Sequence, residues 1–422
     1  MLNDRMVPPI EQPAPTRPPL AGSIRCDVAV VGGGLLGLSA ALELATRGRD
    51  TVVLEADHVG SGASGRNGGQ IVTAYAPGMA RIEAWAGTDD ARVLWDIAEI
   101  GKRLIVERVE RHGIDCGLRR GLVYAGLKPR HAREAAELVA EWRRYGHTDA
   151  RVLDRDGVRA LVASERYTCG VWDGGGGQLE PLAYCRGLAR ATEASGARIF
   201  EGTRVQRLRT AGSGFHLETG GGIVDARTVV LAGNALLGRV EPRIAGLILP
   251  VTTGMIATAP LGRDLADRLI PAGVPVSDMN LVLDYFRIDH ETRLQFGGGV
   301  SYSGIAPPRL AANLRRKMLR VFPALRDVPV ERSWTGRIDI SLNRMPQTGL
   351  LDGRIYYAQG FSGHGVALTQ SIGLAIAEAV TGAPARFQTL ARLPHHPFPG
   401  GPLLRRPSLI MGMAWARLWD AL

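Results

Sequence analysis

Cysteine is scarce in this chain of 422 residues. Cys26, Cys116, Cys169 and Cys185 stand far apart and form no C-x-x-C pair. That spacing excludes a zinc knuckle and a disulfide framework, and it fits a reducing, cytoplasmic setting. No other cluster has metal-ligand spacing. Lysine is scarcer still, with only Lys102, Lys128 and Lys317. Arginine therefore carries the formal charge of +10. Its short runs (Arg119–Arg120, Arg143–Arg144, Arg315–Arg316, Arg405–Arg406) are scattered, and none lies in an aromatic-rich binding module. Nucleic acid is excluded as a partner on that ground. A basic surface draws in anionic substrates or lipid headgroups; a solvated arginine-rich surface has the same composition. Long apolar runs are missing too. The longest uncharged stretch, Ile244 to Gly262, is broken by Pro250 and Gly254 and carries Thr252, Thr253 and Thr258. It reads as strands and turns rather than a bilayer span. Residues 1–24 are proline-rich and read as an extended arm, not a secretory leader. There is no internal repeat.

What is present begins at residue 28, with V-A-V-V-G-G-G-L-L-G-L-S-A-A-L-E-L-A-T-R-G-R-D-T-V-V-L-E. A short apolar strand meets a glycine turn, a small-residue helix and a second strand that ends in acid. Gly32 permits the tight turn, Gly34 lets backbone approach a pyrophosphate, and Gly37 lets the helix pack close to the strand. The helix N-terminus points free N–H groups at phosphate. Glu55 stands where a carboxylate accepts ribose hydroxyls. Because strand, turn, helix, strand and acid arrive in order, the segment reads as a dinucleotide site rather than a chance glycine turn.

The length suits two domains. Leu94, Ile97, Ile100 and Leu104 recur at helical spacing, and residues 80–145 read as mostly helical. A helix and strand follow at 183–200; G-T-R-V-Q-R-L-R and the polar turn A-G-S-G then suggest a hairpin, followed by a buried strand at 227–233 and a strand-rich region from 244 to 300. A helix is expected over 308–321, then a strand I-Y-Y-A-Q-G, a tight loop G-F-S-G-H-G and a final helix. Strands beside glycine loops thus occur at the start, middle and end. The expected fold is α/β: a discontinuous Rossmann-like nucleotide domain with an inserted β-rich substrate domain. Its nucleotide parts are 25–90, 152–236 and 333–385. Residues 91–151 form a helical segment of the substrate domain, 237–332 its main part, and 386–422 a tail and helix.

Three further segments extend the nucleotide site. The loop S-G-A-S-G-R-N-G-G-Q, Ser61 to Gln70, offers unhindered N–H groups, the Ser64 hydroxyl and the Arg66 charge. A-G-N-A, 232–235, follows a strand along which a long cofactor passes. G-F-S-G-H-G-V-A-L-T-Q-S, Gly360 to Ser371, opens a helix whose positive end suits the anionic edge of a reduced flavin. With these segments on the page the chain resembles the FAD-dependent amine and amino-acid oxidoreductases of the D-amino-acid oxidase and glycine oxidase type, from about residue 20 onward. Within that superfamily it is similar to the gamma-glutamylputrescine oxidoreductase group. That closer likeness rests on G-A-S-G-R-N-G-G-Q (62–70), G-G-Q-L-E-P-L (176–182), L-V-L-D-Y-F-R (281–287), G-F-S-G-H-G-V-A-L-T (360–369) and P-F-P-G-G-P-L-L-R-R-P (397–407).

The resemblance implies FAD held at its pyrophosphate by Gly32, Gly34, Leu35 and Gly37, and at its ribose by Glu55 beside Ala56. It implies Ser64, Arg66, Asn67, Gly69 and Gln70 along the path to the isoalloxazine. Val205 falls at adenine and Gly233 along the cofactor. Gly363, His364, Gly365, Val366 and Ala367 fall at the flavin ring. Sarcosine-oxidase-like relatives attach flavin through a cysteine; the matching stretch here, Leu342 to Pro346, has none, so non-covalent FAD is expected. Those relatives also place a lysine near flavin N5 to activate oxygen, and none of the three lysines lies in the strands expected over the flavin.

The expected reaction oxidises the C–N bond of a linear, gamma-glutamylputrescine-like amine. Hydride passes to flavin N5, the imine hydrolyses to an aldehyde, and oxygen is reduced to hydrogen peroxide. The alternatives are a D-amino-acid or opine dehydrogenase with another electron acceptor, and a flavoprotein subunit of a larger complex. His364 is the candidate catalytic residue, tuning the flavin or taking a proton; the alternative is packing beside the ring. Tyr285 and Arg287 share a strand face and suit substrate contact, the arginine by carboxylate pairing. Glu180 either holds an ammonium or is a solvated loop acid. The segment Leu403 to Leu422, with Trp415, Trp419 and Arg417, either touches a membrane surface or packs back as a helix.

Overall fold

A computed structural model describes residues 17–238, 240–301 and 309–398. The segment Leu403 to Leu422 lies outside them, as does most of the expected N-terminal arm. Among the described residues no single helix is long and apolar enough to cross a membrane.

The first sheet is built on the expected fingerprint. Ile24–Val31 pairs in parallel with Thr51–Leu54 on one side and Ile223–Leu231 on the other. Arg198–Phe200 extends it beyond Thr51–Leu54, and Ile355–Gln359 extends it beyond Ile223–Leu231, both in parallel. The hairpin of Val205–Ala211 and Gly214–Thr219 hangs on Ile223–Leu231, and Gln347–Leu351 closes the far edge antiparallel. Val28 to Val31 and Val52 to Leu54 are buried on both faces, which is why they read as continuous apolar runs. In a parallel sheet all strands end on one edge. That edge gathers Gly32, Glu55, Ala232 and Gly360 from four distant stretches of chain. The Gly32 N–H donates to Leu54 O and the Ala232 N–H to Val31 O, each at 2.9 Å.

Helices Leu35–Thr46, Pro181–Ala194 and Gly365–Val380 cover this sheet together with the long helix Thr88–His112. The long helix has Asp89 and Asp90 in its first turn and Arg111 and His112 in its last, complementing its dipole, and it stops at left-handed Gly113. Arg108 reaches from it to the Ser39 hydroxyl, Gln370 and Glu43 at 2.6–2.9 Å, so one buried guanidinium ties three helices.

The second sheet has nine strands. In order they are Val330–Ser341, Ile248–Thr258, Leu294–Ser301, Asp284–Ile288, Val276–Asp278, Arg119–Gly126, Cys169–Gln178 and Gln70–Ile71, with Ala150–Leu153 also on Cys169–Gln178. Among the described residues only Val276–Asp278 with Arg119–Gly126 is parallel in this sheet. One face packs Ile256, Phe286 and Phe296 under the helix Leu310–Val321. The other face meets the Ser61–Gln70 loop. The 152–236 stretch serves both sheets, with Cys169–Gln178 in the second and the strands from Arg198 onward in the first.

A buried polar cluster pins the second sheet to the long helix. Asp173 accepts from Thr73 Oγ1 and His147 Nε2, both at 2.7 Å, and from the Gly175 and Gly176 amides. Lys102 Nζ donates to Thr73 at 2.8 Å and pairs with Glu99. Burial alone would raise the Asp173 carboxyl, but the His147 bond, the Lys102 charge and the Thr73 bond outweigh it and hold it below the ordinary aspartate value. Its stabilisation is therefore complete above that ordinary value and is lost as pH falls through the lowered one. Asp173→Ala takes the acceptor from the buried Thr73 hydroxyl, His147 and the Gly175 and Gly176 amides, and is expected to cost roughly 3–5 kcal/mol of stability. Urea unfolding at neutral pH measures that loss.

Candidate cofactor and active site

The glycine edge of the first sheet opens into a cavity of about 340 Å³. The sequence explains its shape. Gly32 has φ 113°, and a Cβ there would lie 2.9 Å from Ala232 O. A Cβ on Gly37 would collide with the Gly32 carbonyl oxygen. Gly34 caps the helix Leu35–Thr46 without a side-chain bond, and no acidic residue sits in the first turn. Ser64 Oγ accepts the Leu35 N–H at 3.0 Å. A Cβ on Gly34 would crowd that hydroxyl at 2.7 Å.

Glu55 stands across the cavity. Its carboxylate accepts the Gly33 N–H at 2.6 Å and the Asp57 N–H at 2.9 Å. Burial raises it, and these two bonds oppose the rise. Each oxygen keeps a lone pair for a further donor. The cavity wall thus offers glycine backbone and a helix N-terminus to an anion, and a carboxylate to hydroxyls. The residues fit the adenosine and pyrophosphate of a dinucleotide.

Of the expected cofactor residues, Gly32, Gly34, Glu55, Ala56, Ser64, Val205 and Gly233 line this one cavity. Leu35 and Gly37 lie in the helix turn beside it. Arg66, Asn67, Gly69 and Gln70 form a second group where the loop meets the second sheet. Arg66 Nε donates to Ser61 O at 2.8 Å, and Trp334 Nε1 donates to Arg66 O at 3.0 Å. Asn67 bonds Ala63 O, Ser64 O and the Gly69 N–H. Gly69 has φ 70°, and a Cβ there would strike Leu179 O. Gln70 donates to Val276 O at 3.0 Å and accepts from Ser277 Oγ at 2.7 Å. Gly363, His364, Gly365, Val366 and Ala367 form a third group, the start of the helix Gly365–Val380.

The third group is joined to the cavity wall, because Asn234 Oδ1 accepts the Gly360 N–H at 3.1 Å. Asn234, Ala235, Arg204 and Arg337 also line the cavity. A-G-N-A pointed to the first two through its place after a strand. The arginines carry no local signal, being two among many.

His364 is the N-cap of the last long helix, and its Nδ1 is buried without a partner. Burial and the Arg344 charge push the imidazole down to about 4. It is neutral at physiological pH and a weak base.

Tyr285 and Arg287 do share the strand Asp284–Ile288. Arg287 is paired within the protein itself. Its Nη1 and Nη2 pair with Glu180 at 2.6 and 2.8 Å, and its Nε donates to Gly68 O at 2.8 Å. Burial would raise the Glu180 carboxyl, but Arg287 and His290 hold it below the ordinary glutamate value. Glu180 is buried, not a solvated loop acid. The pair clamps the Gly68 carbonyl from the substrate sheet. The Tyr285 ring lies over Gly68 and Gly297, where any Cβ would meet it; burial raises its phenol to about 12.

Among the described residues no lysine and no cysteine lines the cavity. Lys102 belongs to the Asp173 cluster, Lys317 pairs with Asp284 at 2.6 Å, and all four cysteines are buried and free.

The family model described as FAD dependent oxidoreductase matches residues 27–379, most of the chain. This chain belongs to that family. Its cofactor is FAD. The chain is 43% identical to the gamma-glutamylputrescine oxidoreductase of Escherichia coli K12 over 401 residues, covering 95% of this chain and 94% of that protein. It is 27% identical to a glycine oxidase of Geobacillus kaustophilus over 371 residues, covering 84% and 93%. The fold is that of a glycine oxidase from Bacillus cereus, with a TM-score of 0.73 at 22% identity over 88% of this chain and 99% of that one.

Gly37→Val forces the helix off the Gly32 turn. Purified variant protein is expected to retain its far-ultraviolet circular dichroism but lose FAD content by about tenfold or more, read from visible absorbance against protein.

Proposed function

We propose that this FAD-dependent oxidoreductase oxidises the C–N bond of a linear amine of the gamma-glutamylputrescine class. The 43% identity over nearly the full length of both chains carries the reading. The Arg287–Glu180 pair supports it from the site side. An α-amino acid needs a cation for its carboxylate, and the arginine placed to supply one is already neutralised by an internal acid. A linear amine whose reacting end lacks a carboxylate makes no such demand.

The glycine edge, Glu55, Ala56, Ser64 and Val205 hold the adenosine diphosphate half of FAD, and Gly233 lies along its course. Arg66, Asn67, Gly69 and Gln70 line the way to its ring, and Gly363 to Ala367 place a helix N-terminus against it. Attachment is non-covalent. When bound, FAD supplies the hydride acceptor. Tyr285 gives an apolar, un-ionised wall for the substrate chain, and the Arg287–Glu180 pair fixes the Gly68 carbonyl that the loop presents. His364 contacts the cofactor as a neutral imidazole, since a base near 4 holds no proton from an alkylammonium at neutral pH. The substrate therefore reacts as the free amine, and its imine hydrolyses to aldehyde and ammonia. Oxygen is the terminal acceptor and leaves as hydrogen peroxide. The engagement of Lys102 in the Asp173 cluster and of Lys317 with Asp284 favours a second reading, a dehydrogenase that passes electrons to another acceptor.

One experiment tests both parts. The purified protein is mixed without oxygen with gamma-glutamylputrescine, putrescine, glycine and D-alanine, and bleaching of the visible flavin band is followed. The gamma-glutamylated amine is expected to bleach fastest, by about tenfold or more in the second-order rate of flavin reduction. Bleaching by the amino acids alone overturns the substrate class. Air is then admitted, and slow recovery of colour identifies the dehydrogenase.

A further inference from the structure

The polar group with least company near the cofactor cavity is Asp339. It is 1% exposed, and neither carboxyl oxygen has a hydrogen-bond partner. It sits on Val330–Ser341 opposite Pro250, two residues after Arg337. Side chains two apart leave the same face of a strand, and Arg337 lines the cavity. The carboxyl faces the Ala235 amide outside hydrogen-bonding geometry, and Ala235 lines the same cavity. The Asp339 carbonyl accepts the Ser362 N–H at 3.0 Å. Asp339 thus lies where the 232–236 segment meets the Gly360–His364 loop. That junction holds two non-glycine residues in the left-handed region, Asn234 at φ 47° and Ser362 at φ 52°. Strain of this kind collects at ligand clamps.

A buried carboxyl with nothing to bond is costly, and a ligand atom that completes it removes the cost. Few charges bear on it. Arg337 lies on its own strand, Pro250 and Thr252 on the next strand do not titrate, the 234–236 turn has no charged group, and His364 in the last loop is neutral. Burial wins over the Arg337 charge and the Ala235 amide and raises the acid to about 8.

We propose that Asp339 is a cofactor-binding residue whose carboxylic acid donates a hydrogen bond to an oxygen of the ribityl–pyrophosphate chain of FAD. The inference rests on the cavity being the FAD site. An anionic pyrophosphate further disfavours the carboxylate, so the acid titrates higher with FAD bound than without. Affinity is then complete below about pH 8, and falls as pH rises towards the bound-state value.

The full chain, stripped of FAD, is titrated with FAD between about pH 6.5 and 9.5, and binding is read from quenching of flavin fluorescence. The wild-type Kd is expected to rise by up to about tenfold per pH unit above pH 8. Asp339→Asn stays a neutral donor and is expected to keep the neutral-pH Kd within about threefold, with a flat profile. Asp339→Leu is expected to be flat but about tenfold weaker. Should the leucine variant fail to fold, the asparagine profile decides alone. Parallel profiles for wild type and Asp339→Asn overturn the proposal. A wild-type chain that takes up no FAD at any pH overturns the cavity assignment beneath it.

Discussion

One edge of a parallel sheet, and the closeness with which chain segments meet there, governs the molecule. Gly32, Gly37 and Ala232 approach so tightly that neither glycine position has room for a side chain. Glycine gives up conformational entropy at such positions, and the return is backbone N–H groups brought within reach of an anion. Glu55 and Ser64 complete the wall because the second strand and the loop after it end on the same edge. The cavity follows from strand direction, before any specialised side chain is considered.

This explains which parts of the fold could be read in the chain. The fingerprint at 28–55 was legible because each of its glycines answers a local steric need. The loop at Gly360–His364 and the helix after it were legible for the same reason. The second sheet was less so. Cys169–Gln178 holds four consecutive glycines, which local propensity assigns to a turn, and only pairing on both sides makes it a strand. Arg119–Gly126 was hidden within a stretch that reads as helical. At the site, Glu180 and Arg287 were each visible as candidates, but their union spans 107 residues of chain, a distance no spacing rule crosses. Arg204, Arg337 and Asp339 gave no signal, since their meaning comes only from the cavity wall that they share.

Arginine carries the internal electrostatics. Arg108 binds three helices, Arg287 joins the second sheet to the Ser61–Gln70 loop, and Arg17 fastens the N-terminal segment to Glu193 and Glu201 at 2.6 and 3.2 Å. A planar guanidinium satisfies several acceptors at fixed angles, which a lysine cannot. The one deeply buried lysine, Lys102, needs a five-residue cluster to accommodate it.

The strand Gln70–Ile71 is small, yet it changes what kind of object the protein is. It leaves the Ser61–Gln70 loop and immediately becomes an edge of the second sheet. The backbone then shuttles between the sheets, with 119–178 in the second, 198–231 in the first, 248–341 in the second again, and 347–359 in the first. No single cut in the backbone yields two halves that each keep a whole sheet. Grafting a foreign second sheet onto this first one would need several simultaneous splices, so new specificities are more readily reached by changing side chains in place than by exchanging modules.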